Sequence, residues 1–230
     1  MAEFTAVEKA LLARRLHLLQ ARLYGILDLS YLPRERFLET GRAMIAGGVE
    51  VIQLRAKGEP LASVLALARE IRPLFARREA LFIVNDHPEV ARDAEADGVH
   101  IGQDDGPVAA ARARLAPGQL IGKSTHSVEQ AEAAAGEGAD YIGVGPLFAT
   151  PTKPDYAPVG LGLIGQVRSR VGVPQFCIGG IKLENLRQVV EAGAMRVVVV
   201  SGILQAGGPA EIADYCRRLK SSIGAKGLIG

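Results

Sequence analysis

Two textures of apolar residues alternate along this chain. Short apolar runs at Leu23–Asp28, Val51–Arg55, Leu81–Val84, Val99–Ile101, Leu120–Gly122, Tyr141–Val144, Gln175–Ile178 and Arg196–Val200 read as buried strands. Between them apolar residues recur every three or four positions, as at Leu61, Val64, Leu65, Leu67, Ala68 and Ile71, which predicts helices. Pro73 is expected to kink or end that helix. Further helices are predicted from Arg34 to Ala46, from Pro88, from Pro107 to Leu115, from about Gly160 to Val171, from Glu184 to Ala192 and from Pro209. Ser127 and Gln130 have the spacing of a capping box ahead of an Ala-rich helix.

Strand then helix, eight times over, implies a parallel sheet with helices on its faces. Eight units in 230 residues fit one closed (β/α)₈ TIM barrel of compact size. An open doubly wound sheet is the alternative, but no GxGxxG follows the first strand. Similar junctions precede the even strands: Gly47-Gly48-Val49-Glu50, Asp97-Gly98, Ala139-Asp140 and Gly193-Ala194. A two-unit period suits a barrel, whose interior layers draw on alternate strands. Ala6 to Leu23 adds an N-terminal helix, with Leu11, Leu12, Leu16, Leu19 and Leu23 as its apolar stripe, expected to cover one end of the domain. The expected layout is an extension over residues 1–22, the barrel over 23–222 and a tail over 223–230.

Composition narrows the class. Hydrophobic content of 48% with 23% charged residues is ordinary for a well-packed soluble protein. A net charge of +2 with dispersed basic residues, 5% aromatics and no Trp argues against a nucleic-acid partner. Cys177 and Cys216 lack metal-ligand spacing, so a reducing cytoplasm is the default location. No apolar run approaches the ~20 residues of a membrane span, and early charges at Glu3, Glu8 and Lys9 argue against a signal peptide.

In this architecture the reactive face lies at the C-terminal ends of the strands. Gln53, Arg55 and Lys57 alternate with Ile52, Leu54 and Ala56, giving the second strand one polar and one apolar face. Alone, that pattern also describes a solvated edge. Asp86 and Asp105 follow the third and fourth strands, as helix N-caps or as hard oxygen ligands suited to Mg²⁺. With Arg55, Lys57 and Lys153 at the same mouth, the combination points to a metal-bound pyrophosphate. Gly179-Gly180 and Ser201-Gly202, after strands seven and eight, suit a phosphate or are turn glycines. His126 could touch a ligand, whereas His100 reads as a packed residue, His87 as a helix-start residue and Cys177 as core. Asp28 and His126 are the loose acid/base candidates.

These residues fall in a familiar series of blocks: Gln53-Leu54-Arg55-Ala56-Lys57, Val84-Asn85-Asp86, Gly98-Val99-His100-Ile101-Gly102-Gln103-Asp104-Asp105 and Gly122-Lys123-Ser124-Thr125-His126, then Gly143-Val144-Gly145-Pro146-Leu147-Phe148, Thr150-Pro151-Thr152-Lys153, Ile178-Gly179-Gly180-Ile181 and Val200-Ser201-Gly202-Ile203. In that order, from about Leu23 to Leu219, they resemble the thiamine-phosphate synthase (thiamine-phosphate pyrophosphorylase) family. The resemblance implies a transferase joining 4-amino-2-methyl-5-hydroxymethylpyrimidine diphosphate to 4-methyl-5-(2-phosphooxyethyl)thiazole, with release of pyrophosphate. By the family pattern Gln53, Arg55, Lys57, Asn85, Ser124 and Lys153 would hold the pyrimidine diphosphate, and Asp86 and Asp105 the Mg²⁺ cofactor. Arg55, Lys57, Lys153 and Ser124 would be the catalytic set. Thr150, Thr152, Gly180, Val200 and Ser201 would contact the thiazole phosphate. Ala56 and Ala149 depart from the pattern, standing where Glu and Pro are frequent. The implied partners are two small phosphorylated substrates, without nucleic acid or membrane, and a homo-oligomer is left open.

Overall fold

Leu23, Tyr24 and Gly25 pair with Val197, Val198 and Val199, joining the first strand to the last and closing the sheet. A computed structural model of the chain describes residues 4–77, 79–149 and 157–224. Its strands are β1 (Leu23–Asp28), β2 (Val51–Arg55), β3 (Leu81–Asn85), β4 (Gly98–Ile101), β5 (Leu120–Thr125), β6 (Tyr141–Val144), β7 (Gln175–Cys177) and β8 (Val197–Val199). All neighbours are parallel and follow sequence order around the ring, so the expected (β/α)₈ barrel forms.

The helices are α1 (Ala6–Gln20), α2 (Phe37–Ala46), α3 (Leu61–Ile71), α4 (Pro88–Asp93), α5 (Val108–Arg112), α6 (Val128–Gly136), α7 (Gly162–Arg168), α8 (Leu183–Glu191), α9 (Ser201–Leu204) and α10 (Pro209–Gly224). Pro73 has the expected effect: α3 stops at Ile71 and a 3₁₀ turn carries on to Phe75. Ser127 caps α6 by accepting from the Gln130 backbone N–H at 3.2 Å. Pro107 stands just before α5 instead of within it, and α9 is too short for its periodicity to show in the sequence.

Period-two alternation separates two apolar layers. Tyr24, Ile26, Val51, Leu81, Ile83, Leu120, Tyr141, Phe176 and Val198 fill the barrel interior. Leu27, Ile52, Leu54, Phe82, Val84, Val99, Ile121, Ile142 and Val197 face the helices.

The junctions before β2, β4 and β6 share a physical role. Glu50 accepts from the Arg22 and Leu23 backbone N–H groups, Asp97 from Phe82 and Asp140 from Ile121. Each carboxylate thus satisfies the start of the preceding odd strand, a role shared by three of the four similar junctions, since Gly193-Ala194-Met195-Arg196 before β8 carries no carboxylate. Their charges are met by Lys220 on Glu50 at 3.0 Å, Arg14 on Asp97 at 2.8 Å, and Arg15 and Arg112 on Asp140 at 2.7 and 2.8 Å.

Two of those arginines come from α1, which lies across the N-terminal end of the barrel. The expected stripe on this helix needs correction. Leu18 is buried and Leu11 packs beside it against the interior cluster, while Leu12, Leu16 and Leu19 are exposed. The helix is held by Leu11 and Leu18, by Arg14 and Arg15, and by a His17–Glu50 carbonyl contact of 2.9 Å, so ion pairing fixes its rotation with only part of the leucine stripe.

Candidate active site

At the C-terminal end of β2, Gln53 and Arg55 point into the barrel, as their alternation with Ile52 and Leu54 requires. Gln53 is almost fully buried and donates from Nε2 to the Tyr24 hydroxyl at 2.8 Å. From there a chain of polar contacts crosses the interior. The Tyr24 and Tyr141 hydroxyls lie 3.2 Å apart, His100 Nδ1 is 3.2 Å from the Tyr141 hydroxyl, and His100 Nε2 is 3.0 Å from Ser124 Oγ. Burial pushes both phenols up, so they act as neutral hydroxyls. A buried network of this kind holds each member's orientation through the next. Tyr141→Phe removes the hub, and we expect about 1–2 kcal/mol lower stability by urea denaturation.

Space for Tyr141 is made by glycine. A Cβ at Gly122 would sit 2.1 Å from its ring. Arg55 is anchored separately: its guanidinium donates to Asp28 Oδ2 at 2.7 Å, and Asp28 Oδ1 accepts from the Ser30 backbone N–H at 2.9 Å. Asp28 is fully buried, so this ion pair is largely shielded from water.

Across the mouth, Gly179 and Gly180 take φ of 102° and 65°, conformations open chiefly to glycine. A Cβ at Gly179 would approach Pro146 Cα to 2.4 Å. Gly179→Ala therefore combines an unfavourable φ with a backbone clash, and we expect a loss of about 3 kcal/mol by denaturant titration. Val200 and Ser201, at the start of α9, face the same cavity.

A second cleft adjoins the first and shares Asn85 with it. It is lined by Lys57, Asp86 and Asp105, among others. Asp86 adopts φ of 63°, rare for a residue other than glycine and a mark of strain often kept at functional sites. Burial, then the Asp105 charge and a hydrogen bond between the two side chains, pushes its carboxyl up to about 6, with Lys57 and His87 opposing. A divalent cation would relieve this crowding, and two hard oxygens with room for water or phosphate suit Mg²⁺. No cluster of three or more metal-ligating residues occurs among the described residues, so the pair would supply two positions and leave the rest open.

The structure thus gathers Gln53, Arg55, Asn85, Ser124, Gly180, Val200 and Ser201 around one cavity, with Lys57, Asp86 and Asp105 in the cleft beside it. Thr150, Thr152 and Lys153 lie outside the described residues. His100 packs as expected, its ring 5.5 Å from that of Tyr141 between centroids, and it also lines the cavity. Its parity was the available signal: Val99 and Ile101 face the helices, so His100 must face inward. Cys177 is core as expected, with burial pushing its thiol up to about 12.

The family model described as thiamine monophosphate synthase matches residues 23–203, from β1 to α9. The chain belongs to this family. The thiamine-phosphate synthase of Thermosynechococcus vestitus is 44% identical over 212 residues, covering 90% of this chain and 60% of that protein. That of Shouchella clausii is 45% identical over 186 residues, covering 80% of this chain and 89% of that protein. A thiamine phosphate pyrophosphorylase structure from Pyrococcus furiosus superposes with a TM-score of 0.80 at 32% identity, covering 91% of this chain and 97% of that one. This thiamine monophosphate synthase family member therefore spans about three fifths of the Thermosynechococcus relative's length and nearly all of the Pyrococcus structure's. No described helix is long and apolar enough to cross a membrane.

Proposed function

We propose that the chain is a Mg²⁺-dependent thiamine-phosphate synthase, a transferase joining 4-amino-2-methyl-5-hydroxymethylpyrimidine diphosphate to 4-methyl-5-(2-phosphooxyethyl)thiazole. The observation that carries this reading is the adjacency of two differently built clefts sharing Asn85, one with the ion-paired Arg55 and the glycine corner, the other with Lys57 and the Asp86–Asp105 pair. In this reading Gln53, pinned by Tyr24, reads the pyrimidine, while Arg55 and Lys57 bind the diphosphate with Lys153. Gly179, Gly180 and Ser201 offer backbone N–H groups to the thiazole phosphate. Asp86 and Asp105 would hold Mg²⁺, whose contribution when bound is to neutralise charge on the departing pyrophosphate.

The thiazole nitrogen is already a nucleophile, so the protein needs no Ser, Cys or His to attack. The methylene C–O bond breaks with its electron pair leaving on pyrophosphate, and the nitrogen lone pair forms the new C–N bond. The aminopyrimidine stabilises the cation between these events, which makes the substitution dissociative. The chain's own work is to orient both substrates and to match the leaving charge with fixed cations. A barrel that only tautomerised a thiazole phosphate would need no diphosphate grip, and a sugar-phosphate isomerase would need a free acid/base pair where Asp28 is instead committed to Arg55.

The deciding experiment supplies both phosphorylated substrates with and without Mg²⁺. Pyrophosphate and thiamine phosphate should form in equal amounts, and only with the metal. Folded protein that makes neither ends the proposal. An electron-withdrawing substituent on the pyrimidine should slow turnover, and equal or faster turnover would overturn the dissociative step.

A further inference from the structure

Lys123 is out of character with its surroundings. On β5 it alternates with Gly122 and Ser124, which places it with Ile121 on the face turned toward the helices. Its neighbours in register are Ile101 on β4 and Ile142 on β6, both buried members of the apolar outer layer. Yet Lys123 carries a charge there and is itself only 7% exposed. An ammonium in such a layer is costly unless a partner repays it. Its partner is the Gly106 carbonyl, which accepts from Nζ at 2.7 Å.

Gly106 follows Asp105 directly, in the loop between β4 and α5. That loop is tied at three points. Asp105 Oδ2 accepts from the Gly102 backbone N–H at 2.7 Å, Gln103 Nε2 donates to the Ser124 carbonyl, and Lys123 holds Gly106. Two of these ties come from consecutive residues of β5, so one strand seats the loop at both ends. Asp105 itself is exposed, and besides its side-chain contact with Asp86 it accepts a backbone bond from within its own loop, so the seating of that loop bears on where its carboxylate stands. Asp86 is fixed independently, its backbone N–H donating to the His100 carbonyl at 2.9 Å.

We propose that Lys123 is a positioning residue that sets the distance between the Asp86 and Asp105 carboxylates, and with it the affinity for the divalent cation. This rests on the metal assignment made above. It assigns a purpose to a buried charge that the chemistry does not otherwise use, and it explains why an apolar side chain does not stand in its place.

The test uses the full chain and Mn²⁺ alone as probe, its binding followed by electron paramagnetic resonance of the free ion, with Asp105→Asn as control. In Lys123→Met the Mn²⁺ dissociation constant should rise about tenfold, in line with the loss of groups that orient metal ligands. The thermal midpoint should hold or rise, since methionine suits the apolar layer. In turnover assays the Mg²⁺ concentration for half-maximal rate should rise in parallel, while KM for the thiazole phosphate stays within twofold. A dissociation constant within twofold of wild type overturns the proposal. Should Lys123→Met fail to fold, Lys123→Gln is read by the same limits. If wild-type protein binds no Mn²⁺, the metal assignment itself has failed. If wild type binds, Asp105→Asn does not and Lys123→Met binds normally, only the role of Lys123 has failed.

Discussion

Asp86→Asn and Asp105→Asn should each lower turnover by about a thousandfold, while the barrel stays folded. Losing several kcal/mol of charge stabilisation on the leaving pyrophosphate corresponds to that factor. Asparagine is the better replacement at Asp86, because it tolerates the positive φ there while alanine adds strain. The stability effect should run the other way. Burial beside Asp105 pushes the Asp86 carboxyl up to about 6 from the ordinary 3.8, so between these values the folded state keeps a proton that the unfolded state has released. Stability of the metal-free protein should therefore fall as pH rises from about 4 to 6, and the lost part is absent at neutral pH. Asp86→Asn removes that fall and should raise the metal-free thermal midpoint at pH 7. Thermal scans at several pH values check the slope, and a pyrophosphate-release assay checks turnover. Full activity in either variant would remove the metal assignment.

Arg55→Met should reduce kcat by about a hundredfold or more and leave thiazole-phosphate binding within threefold, because Arg55 serves the diphosphate. The single variant carries a confound. It leaves Asp28 charged and fully buried without its partner, a situation that typically costs 3–5 kcal/mol. The double variant Asp28→Asn/Arg55→Met separates the two effects. It should recover most of the lost stability in urea denaturation and none of the lost turnover. Recovered turnover would mean that Arg55 acts as a structural partner of Asp28 and not on the leaving group.

Strand parity and helical spacing carried nearly all of the architecture, because a closed parallel barrel puts short apolar runs and amphipathic helices in strict alternation. The same parity placed Gln53 and Arg55 inward. What it could not show was which inward polar residues meet one another. Gln53, Tyr24, Tyr141, His100 and Ser124 come from five segments spread over a hundred residues, and their contacts depend on barrel closure. His100 faces inward by parity, but nothing local in the sequence shows the cavity or the hydroxyls it meets there. The α1 stripe held only in part, for a different reason. Leucines set the periodicity, but Arg14 and Arg15 found the half-buried Asp97 and the buried Asp140 at the barrel base, and such long-range charge partners leave no local pattern. Lys123 falls by parity on the helix-facing side, but its contact with the Gly106 carbonyl likewise leaves no local pattern.

The carboxylates of Glu50, Asp97 and Asp140 give the barrel a division of labour. The charges that seat α1 and α10 and satisfy the starts of β1, β3 and β5 sit at one end of the ring, and those proposed to handle substrate sit at the other. Closure and chemistry can then drift separately: an exchange at the base changes how long a molecule survives, and one at the mouth changes what it makes. A lineage could rebuild its specificity while keeping one unaltered chassis.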